Sequence, residues 1–252
     1  MKKIVCLLLA FALLFTLAAC GKQGGDNQDV QSSVEDTKNF ATDTESVEYD
    51  FGEPKVGDYI TFGSYEQDNN TYNGKEPIEW LVLDVVDGQI LVISKFALDA
   101  MAFDSESDCS ATTWEICTLR KWLNDDFINE SFSIVEQGMI PTVTVPGDDN
   151  LMYNVDAGND TQDKIFVLSY SEVEKYFDSD NARCCKPTDY AISQGSNVSP
   201  EYFQGNCWWW LRTPGDVQEK ASRVNWDGFI SNGDLAMRDS GAIRPAMWIT
   251  VK

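Results

Sequence analysis

From Gly57 the chain alternates polar and apolar side chains through Gly57-Asp58-Tyr59-Ile60-Thr61-Phe62-Gly63-Ser64-Tyr65, the period-two pattern of a half-buried strand. Residues 78–86 and 89–95 are two further β-rich runs, and the Asp87-Gly88 dipeptide between them predicts a tight hairpin. The period then lengthens. Leu119, Trp122, Leu123 and Phe127 recur at helical spacing, with Thr118 as the expected N-cap. Ser133-Ile134-Val135-Glu136 and Ser171-Glu172-Val173-Glu174 fit the capping-box pattern, in which a hydroxyl and a carboxylate three residues on satisfy two orphaned N–H groups. Pro187 ahead of Thr188-Asp189-Tyr190-Ala191 predicts a fourth short helix, and 165–169 a further strand. Residues 144–163 are polar and acidic, and read as a long loop.

Strand patterning returns at the carboxyl end, over 208–212, 221–225, 229–231, 234–238 and 242–251, with Asp227-Gly228 and Asn232-Gly233 as tight-turn dipeptides. Strands, then short helices, then strands predict an α+β domain built on an antiparallel sheet with short flanking helices and long loops. The large aromatics crowd into this last part. Neighbouring strand residues face opposite ways, so Trp208 and Trp210 share one face and Trp209 takes the other. One face is expected to be buried, leaving either Trp209 or the outer pair partly exposed.

The amino terminus has a different pattern. Met1-Lys2-Lys3 is a positive start, and 4–17 is an apolar run too short to favour a retained membrane helix. Residues 21 to about 52 are rich in Gly, Gln, Ser, Asp and Glu and poor in large apolar groups, so they are expected to form a disordered spacer with a reach of roughly 30 Å. The organisation expected is an export signal (1–19), Cys20 with an acidic linker (20–52) and a folded domain (53–252).

Composition narrows the chemistry. The chain of 252 residues carries a net charge of -22, and loss of residues 1–19 removes two lysines and no acid, making it about -24. Such a surface repels nucleic acid and anionic headgroups, so neither is an expected partner. There is no histidine, which excludes Ser-His-Asp and Cys-His catalysis and His-ligated zinc. Outside the signal and Cys20, the cysteines are Cys109, Cys117, Cys184, Cys185 and Cys207. That set permits two disulfides and a leftover thiol, or none; Cys109 with Cys117, and Cys207 with Cys184 or Cys185, are the pairings to consider. No EF-hand is present, because Asp68-Asn69-Asn70-Thr71-Tyr72-Asn73-Gly74 places tyrosine and an extra residue where that loop needs a ligand and glycine. Asp148, Asp149, Asp156, Asp160 and Asp163 offer carboxylates for a hard cation, although a solvated charge run is the better reading. No cofactor is expected, and calcium has no motif behind it.

Two resemblances add to this. Leu17-Ala18-Ala19-Cys20 resembles the lipobox of bacterial lipoproteins, which implies that Cys20 becomes a diacylglyceryl-modified amino terminus anchored to the outer face of a membrane. Gly57-Asp58-Tyr59-Ile60-Thr61-Phe62-Gly63, Glu79-Trp80, Leu119-Arg120-Lys121-Trp122-Leu123-Asn124, Trp210-Leu211-Arg212-Thr213-Pro214-Gly215, Val224-Asn225 with Asp227-Gly228, and Ile243-Arg244-Pro245-Ala246-Met247-Trp248 together resemble a domain-of-unknown-function family of bacterial surface lipoproteins. The framing of the last motifs is similar to the ligand-binding domains of retroelement-diversified surface proteins and, more distantly, to sulfatase-modifying (formylglycine-generating) enzymes. The resemblance implies a C-type-lectin-like fold that presents ligands on its carboxyl-terminal strands and loops. No calcium-dependent sugar motif accompanies it, since Glu76-Pro77-Ile78 departs from that motif at its third place.

The expected ligand-facing residues are Asn225, Trp226, Asp227, Phe229, Ser231, Asn232, Asp234, Met237, Arg238 and Asp239, a mixture of aromatic and short polar side chains on a turn-rich surface. Trp226 or Phe229 taken alone fits inward packing equally well; the segment as a whole is read as exposed. Arg212 and Arg244 read as buried or half-buried arginines paired with carboxylates, in preference to catalytic groups. The reading is a lipid-anchored extracellular domain that recognises a protein or glycan without catalysis. The alternative is an oxidoreductase of the sulfatase-modifying type, which needs two reactive cysteines in one cleft, and Cys207 with Cys184 or Cys185 is the candidate pair.

Overall fold

The structure, a computed structural model, describes residues 49–106 and 112–251. The expected export signal, Cys20, the linker up to residue 48, and Cys109 lie outside the described residues. In chain order the elements are β1 (Tyr59–Tyr65), β2 (Glu76–Val86), β3 (Gln89–Ser94), β4 (Asp99–Ala100) and α1 (Thr118–Trp122), which runs through a π-helical turn (Leu123–Phe127) into α2 (Ile128–Ser131). Then come α3 (Ile134–Met139), β5 (Val143–Val145), β6 (Thr161–Asp163), β7 (Ile165–Phe166), α4 (Tyr170–Tyr176), α5 (Asp180–Arg183), α6 (Asp189–Ser193) and a 3-10 turn (Glu201–Phe203). β8 (Trp209–Pro214), β9 (Lys220–Val224), β10 (Ile230–Leu235), β11 (Ala242–Ile243) and β12 (Ala246–Thr250) complete the chain.

The architecture is α+β and largely antiparallel. One five-stranded sheet has the order β1-β2-β3-β12-β7, and a second has the order β10-β9-β8-β11-β4, in which the short β11–β8 contact is parallel. Asp87 and Gly88 both take positive φ, 49° and 77°, so the first hairpin closes on the primed turn its sequence predicts. The expected strand over 242–251 is divided in two. Pro245 cannot donate to a ladder, and its carbonyl instead accepts Ser94 N–H at 2.9 Å. β11 therefore belongs to the second sheet and β12 to the first, and Arg244 lies at the crossing.

Trp208, Trp209 and Trp210 are all buried, at 2%, 0% and 0% exposure, which corrects the expectation that one face would stay partly open. Trp208 and Trp210 do share a face, meeting edge-on at 4.8 Å. Trp209, on the other, donates Nε1 to Arg183 O at 3.2 Å and carries the Arg244 guanidinium over its ring at 5.2 Å. β8 is covered on both sides, so alternation has no solvent face to reveal. Burying a tryptophan contributes roughly 4–6 kcal/mol of gross transfer free energy, before the entropy of ordering is subtracted.

Other local expectations shift by a few residues. The N-cap of α1 is Cys117, whose Sγ accepts Arg120 N–H at 3.5 Å, while Thr118 Oγ1 accepts Ser105 N–H. Ser133 and Glu136 form the predicted capping box of α3. The box on α4 uses Ser169 and Glu172, because Ser171 Oγ is taken by Asp148 Oδ1 at 2.8 Å. The short helix expected after Pro187 forms as α6, and Thr188 is its N-cap. Residues 144–163 are not loop throughout: β5 and β6 pair across them. Asn232-Gly233 is not a turn. Ser231 pairs with Arg223 and Asp234 with Ala221, so two residues of β10 oppose Ser222 alone, which is a bulge inside one strand. Among the described residues, packing on the domain begins ahead of residue 53: Tyr49 and Phe51 lie on Phe62, with centroids at 5.2 and 5.8 Å.

Candidate functional site

The ten expected ligand-facing residues fall on different parts of the second sheet. Asn225–Phe229 is a true turn: Asn225 N–H donates to Phe229 O and Gly228 N–H to Asn225 O, both at 2.9 Å, with Gly228 at φ +84°. Asp227 and Phe229 are exposed, whereas Trp226 is half-buried against the core. The Trp226 carbonyl is held from below by Asn206 Nδ2 at 3.1 Å and Cys184 Sγ at 3.5 Å. Ser231 and Asn232 are half-buried on β10, and Met237, Arg238 and Asp239 are exposed just beyond it. Asp234 does not face outward. It is buried and forms ion pairs with Arg223 and Arg238, so its role is to brace the β9–β10 edge.

Asn232 belongs to a different constellation. A cleft of about 260 Å³ is lined by Asp148, Asp149, Leu151, Met152, Tyr170 and Glu174, with Ser171, Asn150, Thr213 and Asn232 completing it. Asn150 Nδ2 pins the overhanging loop by donating to Pro214 O and Gly215 O at 3.0 Å and to Asn232 Oδ1 at 3.2 Å. Asp148 ties the same loop to α4 and β8, accepting Thr213 Oγ1–H at 2.6 Å and Ser171 Oγ–H at 2.8 Å. Burial pushes the Asp148 carboxyl up, but these hydrogen bonds and the nearby Arg212 outweigh it and hold it below the usual carboxylate range. Burial, then Glu174, raises the Tyr170 phenol, which stays protonated and able to donate. Above the cleft Leu151 and Met152 are 88% and 71% exposed. Sequence reading missed this site because its apolar tip lies inside an acidic stretch, where hydrophobic periodicity gives no signal.

Arg212 is buried, as expected, and forks onto Glu172, Nη2 reaching Oε1 at 2.9 Å; it also donates to Val167 O. It anchors α4, and so one wall of the cleft. Arg244 is buried too, but the carboxylate partner expected for it is absent among the described residues. It donates Nε to Ser94 O at 2.9 Å and stacks on Trp209 and Phe177.

The acidic stretch does not converge on a cation. Asp149 accepts Ala157 N–H, Asp156 accepts Gly158 N–H, Asp160 accepts Gly147 N–H, and Asp163 pairs with Arg120 and Trp114 Nε1. Among the described residues the carboxylates that do come together are Glu66, Asp68 and Glu76, with ligand atoms within 4.8 Å of one another. They are engaged by backbone N–H groups of Asn70 and Gln67. Cys117, Cys184, Cys185 and Cys207 carry free thiols, and Cys185 and Cys207 lie opposite each other.

No helix among the described residues is long and apolar enough to cross a membrane. No curated protein and no solved structure matches the chain. The family described as Domain of unknown function (DUF6273) matches residues 87–251, which takes in every strand from β3 to β12 and both the cleft and the 225–229 turn; the chain belongs to that family.

Proposed function

We propose that this chain is a lipid-anchored extracellular protein whose C-type-lectin-like domain binds a protein or glycan ligand without catalysis. The anchor rests on the lipobox-like Leu17-Ala18-Ala19-Cys20 and the polar spacer after it. The binding reading rests chiefly on the cleft between 148–152 and α4. Its apolar tip, one phenol, several hydroxyl and amide groups and three carboxylates are what a site needs to combine contact area with orienting hydrogen bonds. Among the described residues no lysine or arginine lines it, so it favours neutral or cationic ligands and disfavours anionic ones. The exposed turn at Asp227 and Phe229 is a second contact region on the same sheet.

The oxidoreductase alternative gains one supporting observation, the juxtaposition of Cys185 and Cys207. Their exposure, 2% and 0%, weighs against it, because a catalytic thiol must be reached at every turnover, whereas a single slow modification needs one local opening. An array of neutral, cationic and anionic glycans and peptides, probed with residues 46–252, tests the binding reading. Bound members are expected to be neutral or cationic and to be lost with Met152→Ser plus Glu174→Gln, two exposed positions whose change spares the fold. Binding that survives this pair but disappears with Trp226→Ala or Asp227→Ala moves the site to the turn. Binding indifferent to all four changes refutes both locations.

A further inference from the structure

Cys185 and Cys207 face each other across an isolated antiparallel bridge, with Cys207 N–H donating to Cys185 O at 2.8 Å. Opposed residues of such a pair have Cα atoms about 5.5 Å apart, within the span a disulfide bridges. Cys207 Sγ donates to Cys185 O at 3.5 Å, and Cys185 Sγ to Lys186 O at 3.5 Å and Lys95 O at 3.7 Å. Cys184 points elsewhere, toward Asp180 O and Trp226 O. Beside the pair lies Arg244, a buried guanidinium caged by Trp209 and Phe177, with backbone carbonyls as its hydrogen-bond acceptors. A guanidinium cannot shed its charge, and a buried cation without an anion is costly. A thiolate on Cys185 is the counter-charge available there.

The local electrostatics agree with this. Burial pushes the Cys185 thiol up, but the neighbouring Cys207 thiol and the field of Arg244 outweigh it and bring it down to about 7. Cys207 is pushed well above the ordinary thiol range by burial and by Cys185 itself. Cys184 is the other titratable group beside the pair, itself flanked by Asp180 and Asp227, and the Ser196 hydroxyl faces Cys207. One sulfur is therefore the nucleophile and the other the resolving thiol.

We propose that Cys185 and Cys207 form a covalent modification site, a dithiol that closes to a Cys185–Cys207 disulfide by exchange with an external low-molecular-weight disulfide, with Arg244 as the positioning residue. The Cys185 thiolate attacks one sulfur of the external disulfide, forming a mixed disulfide and expelling one thiolate. Cys207 then gives its proton to solvent and attacks Cys185 Sγ, expelling the second thiolate; both leaving groups take up protons. Two protein thiols are oxidised and one external disulfide is reduced to two thiols. Both cysteines are buried, at 2% and 0% exposure, so exchange requires a local opening of the chain, for which the isolated Val198–Cys207 bridge is the contact to break. The consequence reaches the binding surface. Closure fixes the chain on either side of Asn206 and Cys184, the two side chains that hold the Trp226 carbonyl, and so stiffens the base of the 225–229 turn.

The test is to reduce the full chain, desalt it and incubate it with excess glutathione disulfide, followed by intact-mass and peptide mapping. A loss of 2 Da mapping to a Cys185–Cys207 linked peptide is expected, at a rate that rises through pH about 7. Closing a loop of this length raises Tm by about 6–12 °C. Cys207→Ser is expected to stop at a stable glutathione adduct on Cys185. Arg244→Gln, checked for folding by circular dichroism, is expected to move the pH midpoint upward. Linkage through Cys184, an adduct confined to Cys184, or no linked peptide at all overturns the proposal. So does a pH midpoint unchanged in folded Arg244→Gln.

Discussion

Gly228→Ala probes how the 225–229 turn is seated. At φ +84° an L side chain is strained by about 1–2 kcal/mol. A Cβ there also meets the backbone O, C and Cα of Asp180, the first residue of α5, and backbone cannot swing aside as a side-chain tip would. Relief requires the turn to lift away. That weakens the bonds from Arg183 Nη1 to Gly228 O and from Cys184 Sγ to Trp226 O, together worth about 1 kcal/mol. The total, about 2–4 kcal/mol, lowers Tm by roughly 4–16 °C in a domain of this size. Gly233→Ala is the matched control. No atom lies within 4 Å of its Cβ and its φ is not in the left-handed region, so stability is expected to hold or rise by up to about 1 kcal/mol. Thermal and urea unfolding of both variants measure the difference. Equal effects would mean that the turn does not rest on α5 and that the two dipeptides are alike, as their sequences imply.

Arg212→Met leaves Glu172 without its cation, but with its capping contact and some access to water. A loss of about 2–4 kcal/mol in urea unfolding is expected, and a loss below about 1 kcal/mol would show that α4 is held by packing alone. Thr213→Val removes the hydroxyl that donates to Asp148 and accepts Tyr170 N–H. Asp148 is depressed in the fold, so its contribution is present above its unfolded pKa of 3.8 and is lost as pH falls through the folded value. The variant is therefore expected to be about 1 kcal/mol less stable than wild type at pH 7, with the gap narrowing below pH 3.8. A gap that widens in acid contradicts the assignment.

The sequence makes the first hairpin, the capped helices α3 and α6 and the strand-rich carboxyl end legible, because each is written in local signals: Asp87-Gly88, Ser133 with Glu136, Thr188 after Pro187. It misleads where tertiary context decides. Asn232-Gly233 has the composition of a turn, yet cross-strand pairing with Arg223 and Ala221 keeps it within β10. Adjacent tryptophans on a strand face opposite ways, which predicts one open face, yet both faces of β8 are covered. Asp234 looks like a surface acid, but Arg223 on the neighbouring strand, which no local pattern reveals, and Arg238 four residues on hold it buried. The cleft was least legible of all, since residues 148–152, 170–174 and 232 meet only in three dimensions.

The most direct test of the cleft as the binding site is a hydrogen-exchange map of residues 46–252, with and without the array member that binds most strongly. New protection is predicted at 148–152 and at 170–174, with a smaller change at 225–229. Protection confined to the 225–229 turn, or to surfaces outside both regions, would contradict the account.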